Sequence, residues 1–344
     1  MNRTFTGRKT AAILLVLVAG AAAHAQVASA PSTVVTRETY VRAETDRSFF
    51  NFYKLAGGVN RFYFIRTPTP LDKQSVVRMN KDTLYAAAVV DTSKGATLTV
   101  PRIAAGRYFS VLLIDNDHYS PGVIYKPGTH TLPRDTKFLA LLLRIQLLRP
   151  DDPRDVAEVN RLQDQFVIRA GSADPFPEPT WDAKSLADLT TQYNTEFAKY
   201  DMYPDGFMGP RGVADDSIRH LAAAGAWGLF PNKDAVYINY NGKLPATGCH
   251  CATYSVPENK AFWSITVYGD DGYMKSPNSI LNGTNVKLNK DGTFTAHYGS
   301  REACGVVPNR LDVSDGWNFL MRVYRPGQSV LNRGYVLPDA RACS

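Results

Sequence analysis

The sequence predicts a mainly β protein in which two groups of antiparallel strands, each enough for a sandwich or barrel, flank a helical segment, with one more helix in front. Three observations lead there. Short β-branched and aromatic runs recur on both sides of residues 150–230, each bounded by turn residues. Helical spacing is confined to a stretch near the start and to the middle of the chain. The 25 glycines and 21 prolines among 344 residues exclude a long helical rod, while 44% hydrophobic residues suffice for a core.

Taken in order, the chain begins with an address. Arg3, Arg8 and Lys9 precede an apolar stretch over residues 11–23, and Ala23-His24-Ala25 offers the small-x-small pattern of a signal-peptidase site. That stretch falls short of the ~20 apolar residues that span a bilayer. A signal peptide over residues 1–25, cut after Ala25, and a periplasmic or secreted protein are the expectation, with no stable membrane insertion afterwards. Residues 36–55 then place Tyr40, Val41, Phe49, Phe50 and Tyr53 at helical spacing, ended by Gly57-Gly58. Strands follow at 61–65, 84–90, 97–100, 108–114 and 138–148, separated by Thr67-Pro68-Thr69-Pro70, Ser93-Lys94-Gly95, Pro121-Gly122 and Pro127-Gly128. These make an N-terminal unit of 26–150.

Three helices are expected in the linker region 151–230. One opens at Asp152-Pro153 and runs to about 166, with Pro153 in the tolerated first turn. The second covers 183–200, and the third 215–229 with Asp215 or Asp216 as cap. Strands return in a C-terminal unit of 231–344, at 235–240, 252–256, 262–268, 286–288, 293–298 and 319–324. Asp270-Asp271-Gly272 and Lys290-Asp291-Gly292 read as hairpin turns.

Charge and cysteine usage narrow the function classes. The formal charge of +7 falls to +4 without the leader, and no basic cluster stands out, so nucleic acid is not an expected partner. Cys249, Cys251, Cys304 and Cys343 suit two disulfides in an oxidising compartment. A one-residue spacer makes a strained ring, so Cys249 and Cys251 each pair with Cys304 or Cys343, in either order. A thiolate metal site is disfavoured because strand alternation turns His250 away from both sulfurs. No metal and no cofactor are expected.

Arg78-Met79-Asn80-Lys81-Asp82-Thr83-Leu84-Tyr85, Val90-Asp91, Pro101 and Gly106-Arg107-Tyr108 through Asp115 resemble the bacterial family catalogued as domain of unknown function 1254. Phe262-Trp263-Ser264-Ile265-Thr266-Val267-Tyr268, Lys290-Asp291-Gly292-Thr293 and Met321-Arg322-Val323-Tyr324-Arg325-Pro326 are similar to its usual companion, domain of unknown function 1214. The resemblance implies two β-sandwich, jelly-roll-like domains, often exported, and supplies no catalytic set. The sequence departs from the pattern at Cys249–Cys251, at Cys304 and around 278–285.

Candidate chemistry sits in three places. In an extended segment, Arg78, Asn80 and Asp82 would share one face, with Thr83 and Tyr85 on the other; a guanidinium, an amide and a carboxylate suit a carboxylate, a diol or a metal. The bland counterpart is a buried ion pair that pins the strand. Asp115 and Asp117 could act as an acid/base pair, with His118 titrating near neutrality but facing away on a regular strand; a polar strand end explains them equally. Trp263 could stack on a ligand and Arg322 clamp an anion, although Trp263 is the more ordinary core residue. Nucleophile-elbow, phosphate-loop, zinc-protease and dinucleotide motifs are missing.

The expected function is therefore binding of a small polar or carbohydrate-like ligand between or on two sandwiches. Asp82, Asp115, Asp117 and His118 are the catalytic candidates. Arg78, Asn80, Tyr85, Trp263 and Arg322 are the binding ones. The first alternative is a hydrolase or lyase using Asp82, Asp115 or Asp117 with Arg78 or Arg322, and the second is an assembly protein. A homo-oligomer is compatible with either.

Overall fold

A computed structural model describes residues 32–74, 77–242 and 244–343. The expected signal peptide lies outside the described residues. The fold is mainly β, as the sequence predicts, with sixteen strands and six α-helices among the described residues.

The first half contains β1 (Phe62–Phe64), β2 (Thr83–Asp91), β3 (Ala96–Val100), β4 (Phe109–Asp115), β5 (Gly122–Ile124), β6 (Gly128–Thr131), β7 (Phe138–Gln146) and β8 (Val167–Ala170). They form a five-stranded sheet in the order β1-β2-β7-β4-β5 and a three-stranded sheet β6-β3-β8, antiparallel throughout. Leu84, Ala86, Ala88, Val90, Val111 and Leu113 on one face of the larger sheet pack on Leu98 and Val100 of β3. The helix α2 (Pro153–Gln163) closes this core with Val159 and Leu162, its amino end capped by Asp152, which accepts from the Arg154 amide at 2.9 Å.

The second half contains β9 (Ala235–Tyr240), β10 (His250–Tyr254), β11 (Trp263–Tyr268), β12 (Ile280–Asn282), β13 (Phe294–Tyr298), β14 (Arg310–Leu311), β15 (Asn318–Tyr324) and β16 (Arg341–Ala342). The sheets β12-β11-β15-β9 and β14-β13-β10-β16 enclose Trp263, Ile265, Phe294, Tyr298, Trp317 and Phe319. Only the β13–β14 pair is parallel among the described strands. Cys249 and Cys304 stand at disulfide distance, as do Cys251 and Cys343, which resolves the pairing left open by the sequence. The first pair ties β10 to the short helix α5 (Arg301–Cys304), the second to the chain's last strand.

Strands β2, β4, β7, β11 and β15 are buried on both faces along almost their whole length. Each belongs to one sandwich on one side and meets the other sandwich on its second side. Val89, Leu112, Ile114 and Ala140 of the first half share a cluster with Phe230, Ala235, Phe262 and Tyr324 of the second. Double burial explains why these strands read as continuous apolar runs instead of alternating ones. Against this layer lie α1 (Tyr40–Ala56), α3 (Ala183–Phe197) and α4 (Arg219–Gly225), joined through Tyr40, Ala43, Leu186, Tyr193, Phe197 and Leu221. Gly57, at φ +69°, ends α1 in the left-handed conformation that glycine adopts without penalty.

Three expectations need correction. Residues 286–288 form no strand. The third linker helix is shorter than expected: Asp215 caps a local turn, accepting from the Ser217 amide at 2.9 Å, and the helix starts only at Arg219. The segment 151–230 is not purely helical. β8 pairs with β3, and Val159, Leu162 and Phe166 belong to the first core, so the chain to residue 170 packs with the first sandwich.

Candidate functional site

The layer between the sandwiches is largely apolar, and a polar row crosses each of the facing sheets. On the five-stranded sheet, strand register sets Tyr85 of β2 beside Arg144 of β7, and Arg144 beside Ser110 of β4. On the four-stranded sheet, Asn282, Ser264, Arg322 and Tyr237 stand side by side across β12, β11, β15 and β9. The rows are within electrostatic reach of each other: the Arg144 guanidinium acts on Tyr237 and Tyr324, and Arg322 on Tyr85. Arg144 and Tyr237 are half-buried where the sheets meet. Phe230 covers one face of Arg144, with the guanidinium carbon 4.1 Å from the ring centre.

Residues 77–82 run along the edge of this layer. The expectation of an extended Arg78-Asn80-Asp82 face is wrong: Arg78 sits in a turn at φ +54°, its amide bonded to the Gly272 carbonyl at 2.8 Å, and β2 starts only at Thr83. Gly272 is itself left-handed (φ +79°), and a β-carbon there would lie 3.1 Å from Val77, so this approach depends on glycine. Tertiary contacts nevertheless bring most of the expected residues together. Arg322 donates to the Arg78 carbonyl at 2.7 Å, to the Tyr268 hydroxyl at 2.9 Å and to Thr266 at 3.0 Å. Asn80 donates to the Tyr324 hydroxyl at 3.1 Å and accepts from the Asp82 amide at 2.7 Å. The fully buried Asp82 carboxylate accepts from Asn282 at 2.7 Å.

The electrostatics of the layer are unbalanced. Arg78, Arg144 and Arg322 share this layer with one carboxylate, Asp82, whose neighbouring charge among them is Arg322, and none of the three forms an ion pair with a described acid; Arg144 has only a 3.4 Å hydrogen-bond contact, to the Gly228 carbonyl. Burial pushes the Asp82 carboxyl above its usual range, against the Asn282 hydrogen bond, the nearby Ser264 hydroxyl and the charge of Arg322. Burial likewise raises Tyr237, Tyr268 and Tyr324, so these phenols stay neutral and offer no compensating charge.

The remaining expected residues lie elsewhere. Asp115 and Asp117 do face one another, but Arg211 binds both, at 2.7 and 2.6 Å, and Arg42 takes the second oxygen of Asp117 at 2.9 Å. His118 is wholly buried on Trp227 with a ring-centre separation of 5.5 Å, and burial pushes its imidazole down to about 3, so it does not titrate near neutrality. Trp263 points to the opposite face of β11 from Ser264 and stacks on Phe294 at 4.7 Å inside the C-terminal core, away from the polar rows. Among the described residues, no three His, Cys, Asp or Glu side chains converge as metal ligands.

Sequence reasoning did not single out Arg144, Ser110, Tyr237, Ser264 or Asn282. One signal was available: Arg144 is the only charge in the apolar run 138–148. Asn282, the partner of Asp82, comes from the stretch around 278–285 where the sequence leaves the family pattern.

Two family models match the chain. The model described as protein of unknown function (DUF1254) covers residues 59–170, and that described as protein of unknown function (DUF1214) covers residues 249–328. The chain belongs to the DUF1254/DUF1214 family. A comparison with curated proteins gave no match. Among solved structures, a protein of Vibrio parahaemolyticus is similar over 89% of this chain and 98% of its own, at 18% identity and a TM-score of 0.67. An uncharacterized protein of Burkholderia cenocepacia is similar over 88% and 87%, at 16% identity and a TM-score of 0.51. Both likenesses concern the fold. The polar rows fall on strands of both family regions, since Tyr85, Ser110 and Arg144 lie in the first and Ser264, Asn282 and Arg322 in the second.

Proposed function

We propose that this family member is an exported binding protein that holds a small polar ligand between its two sandwiches, where the Tyr85-Arg144-Ser110 row meets the Asn282-Ser264-Arg322-Tyr237 row. The observation that carries this reading is a concentration of unpartnered buried polar atoms. Of the twenty such side-chain atoms among the described residues, eight belong to this layer: Arg78 Nη1, Asp82 Oδ2, Thr83 Oγ1, Tyr108 Oη, Ser110 Oγ, Arg144 Nε and Nη1, and Ser264 Oγ. Buried polar groups are nearly always hydrogen-bonded in folded proteins, and each one left unmade costs about 1–3 kcal/mol. A polar molecule seated there would meet donors, hydroxyls and one carboxylate oxygen together. The leader-like residues 1–25 and the two cysteine pairs support export.

An enzyme reading would have to use Asp82 beside Arg322, because Asp115 and Asp117 are committed to Arg211 at a different place. Nothing favours it over binding. The test is thermal unfolding of the leaderless protein against sugars, organic acids and divalent metals, repeated with Ser264→Leu, which fills the layer, and Ser264→Ala as a folding control. Binding predicts a saturable rise in midpoint that Ser264→Leu abolishes and Ser264→Ala keeps. Silence across the panel would overturn the reading.

A further inference from the structure

We infer that the ligand of this layer is a small organic anion, its carboxylate or phosphoryl head shared by Arg144 of the first sandwich and Arg322 of the second. The inference rests on the binding reading above and names the class of molecule. Its first support is the charge count: three guanidiniums and one carboxylate share a buried layer, and the tyrosines around them remain neutral. Lys81 at the rim is matched by Asp151 at 3.3 Å, and Asp234, which accepts from Tyr125 at 2.9 Å, has Lys233 and Arg325 as its neighbouring positive charges, so these groups balance one another outside the count. Guanidinium does not lose its proton in proteins, and the imbalance is therefore permanent.

The second support is the direction of the unused bonding capacity. Arg144 has Nε and Nη1 buried and unpartnered, one on each of the two guanidinium edges that share Nη2, and Nη2 itself makes only the long 3.4 Å contact to the Gly228 carbonyl, so either edge is left to bind a carboxylate or phosphate. Arg78 Nη1 is unpartnered as well, and hydroxyl donors flank the fork: Ser110 is the cross-strand neighbour of Arg144, and Tyr108 stands two residues before it. By contrast, Arg322 is held by Thr266, Tyr268 and the Arg78 carbonyl, so it acts as a fixed charge on the opposite wall. Phe230, Phe262 and the tyrosines supply apolar walls for the body of the molecule. A neutral sugar would satisfy the hydroxyls and leave the charge uncompensated. Asp82 is the one group that opposes an anion, and it is held by Asn282 at the edge of the layer.

The experiment is calorimetric titration of the leaderless protein, disulfides intact, with benzoate, succinate, inorganic phosphate and glucose. Benzoate and succinate report the carboxylate head and phosphate the phosphoryl head; saturable binding of any of these anions, with glucose silent, is the expected result. Arg144→Gln should weaken the bound anion at least about tenfold, as loss of a charge-assisted pair requires. Asp82→Asn, which removes the opposing carboxylate and keeps an acceptor for Asn282, should tighten it. Should Arg144→Gln not fold, Arg144→Lys, which keeps the charge and loses the fork, is the substitute, and it too should weaken binding. Glucose binding with all three anions silent would overturn this inference and leave the binding reading standing. Silence from all four would overturn both, and an anion affinity indifferent to Arg144 or weakened by Asp82→Asn would overturn the assignment of the site.

Discussion

The pair Arg107–Asp155 fixes the start of β4, the end of β7 and the first turn of α2 against one another, and breaking it should be among the costliest single changes in the first sandwich. The Arg107 guanidinium donates to Asp155 at 2.6 Å and to the Gln146 carbonyl at 2.6 Å, with both side chains under 10% exposed. The other Asp155 oxygen accepts from the Arg149 amide at 3.0 Å, and the Gln146 side chain accepts from the Tyr108 amide at 3.1 Å. Arg107→Met leaves a buried carboxylate with backbone donors alone. Removal of one partner from a buried pair costs about 3–5 kcal/mol. With an m-value of about 3 kcal/mol/M in urea, the midpoint should fall by at least about 1 M at pH 7. Arg107→Met/Asp155→Leu, which removes both charges, should recover most of the loss. Burial alone would raise the Asp155 carboxyl, but the Arg107 and Arg149 hydrogen bonds outweigh it and hold the group below its ordinary value. The stabilisation is thus present above the ordinary carboxylate range and is lost as pH falls through the lowered value. A loss under about 1 kcal/mol, the scale of an exposed pair, or a double variant as weak as the single one, would refute the reasoning.

Three further outcomes are expected. Asp82 faces Arg322 on β15, Ser264 on β11, Asn282 on β12 and its neighbour Lys81, yet burial raises it, so its neutral form favours the fold. The native protein should then lose stability relative to Asp82→Asn as pH rises above about 4; urea midpoints with equal pH slopes would contradict this. His118, lowered to about 3 by burial and the charge of Arg219, binds its proton far more readily when unfolded. Its contribution is complete above the unfolded value of about 6.5 and declines as pH falls below it, so His118→Phe should flatten the stability profile between pH 6 and 4. Imidazole resonances that titrate in the native state near pH 6.5 would contradict that. Trp263→Ala should cost about 3–5 kcal/mol through a core cavity and leave the polar layer's ligand affinity unchanged; a specific loss of affinity in the folded variant would return Trp263 to the site.

The fold was legible because turn residues delimit the strands. Ser93-Lys94-Gly95 falls between β2 and β3, Pro127-Gly128 leads into β6, and Asp152-Pro153 opens α2 where its capping chemistry says it should. β8 escaped notice because it is a four-residue edge strand of half-exposed side chains, too short to show a period. The site was harder for a physical reason. In β2, β7 and β15 both faces are buried, so alternation no longer separates a core face from the other one, and Tyr85 and Arg144 disappear into apolar runs. Arg78, Asn80 and Asp82 were read as residue types suited to chemistry, but their arrangement depends on Gly272, Asn282 and Arg322, the last two 200 and 244 residues away from their partners, and local pattern cannot report it. Trp263 and Arg322, by contrast, occupy opposite faces of adjacent strands, which paired registers decide and single-strand periodicity does not.

Adhesion of the two sandwiches does not require the polar rows. Val89, Leu112, Ile114, Ala140, Phe230 and Phe262 already form an apolar contact between the halves, and each square ångström of such surface stabilises by about 25 cal/mol. Replacement of buried charges by apolar residues of similar volume is often neutral or stabilising. A purely structural layer would therefore be expected to be apolar at Arg144 and Arg322 too, or to pair each guanidinium with a carboxylate, as Arg107 is paired with Asp155 a short distance along the same sheet. The same chain thus contains both solutions. Where a charge only fastens elements together it has its counter-ion, and where two sheets from different sandwiches meet it does not. That contrast within one molecule supports the proposed ligand-directed arrangement over an assembly role, and it makes the fate of Arg144, whose removal should cost binding more than stability, the decisive comparison with Arg107, whose removal should cost stability first.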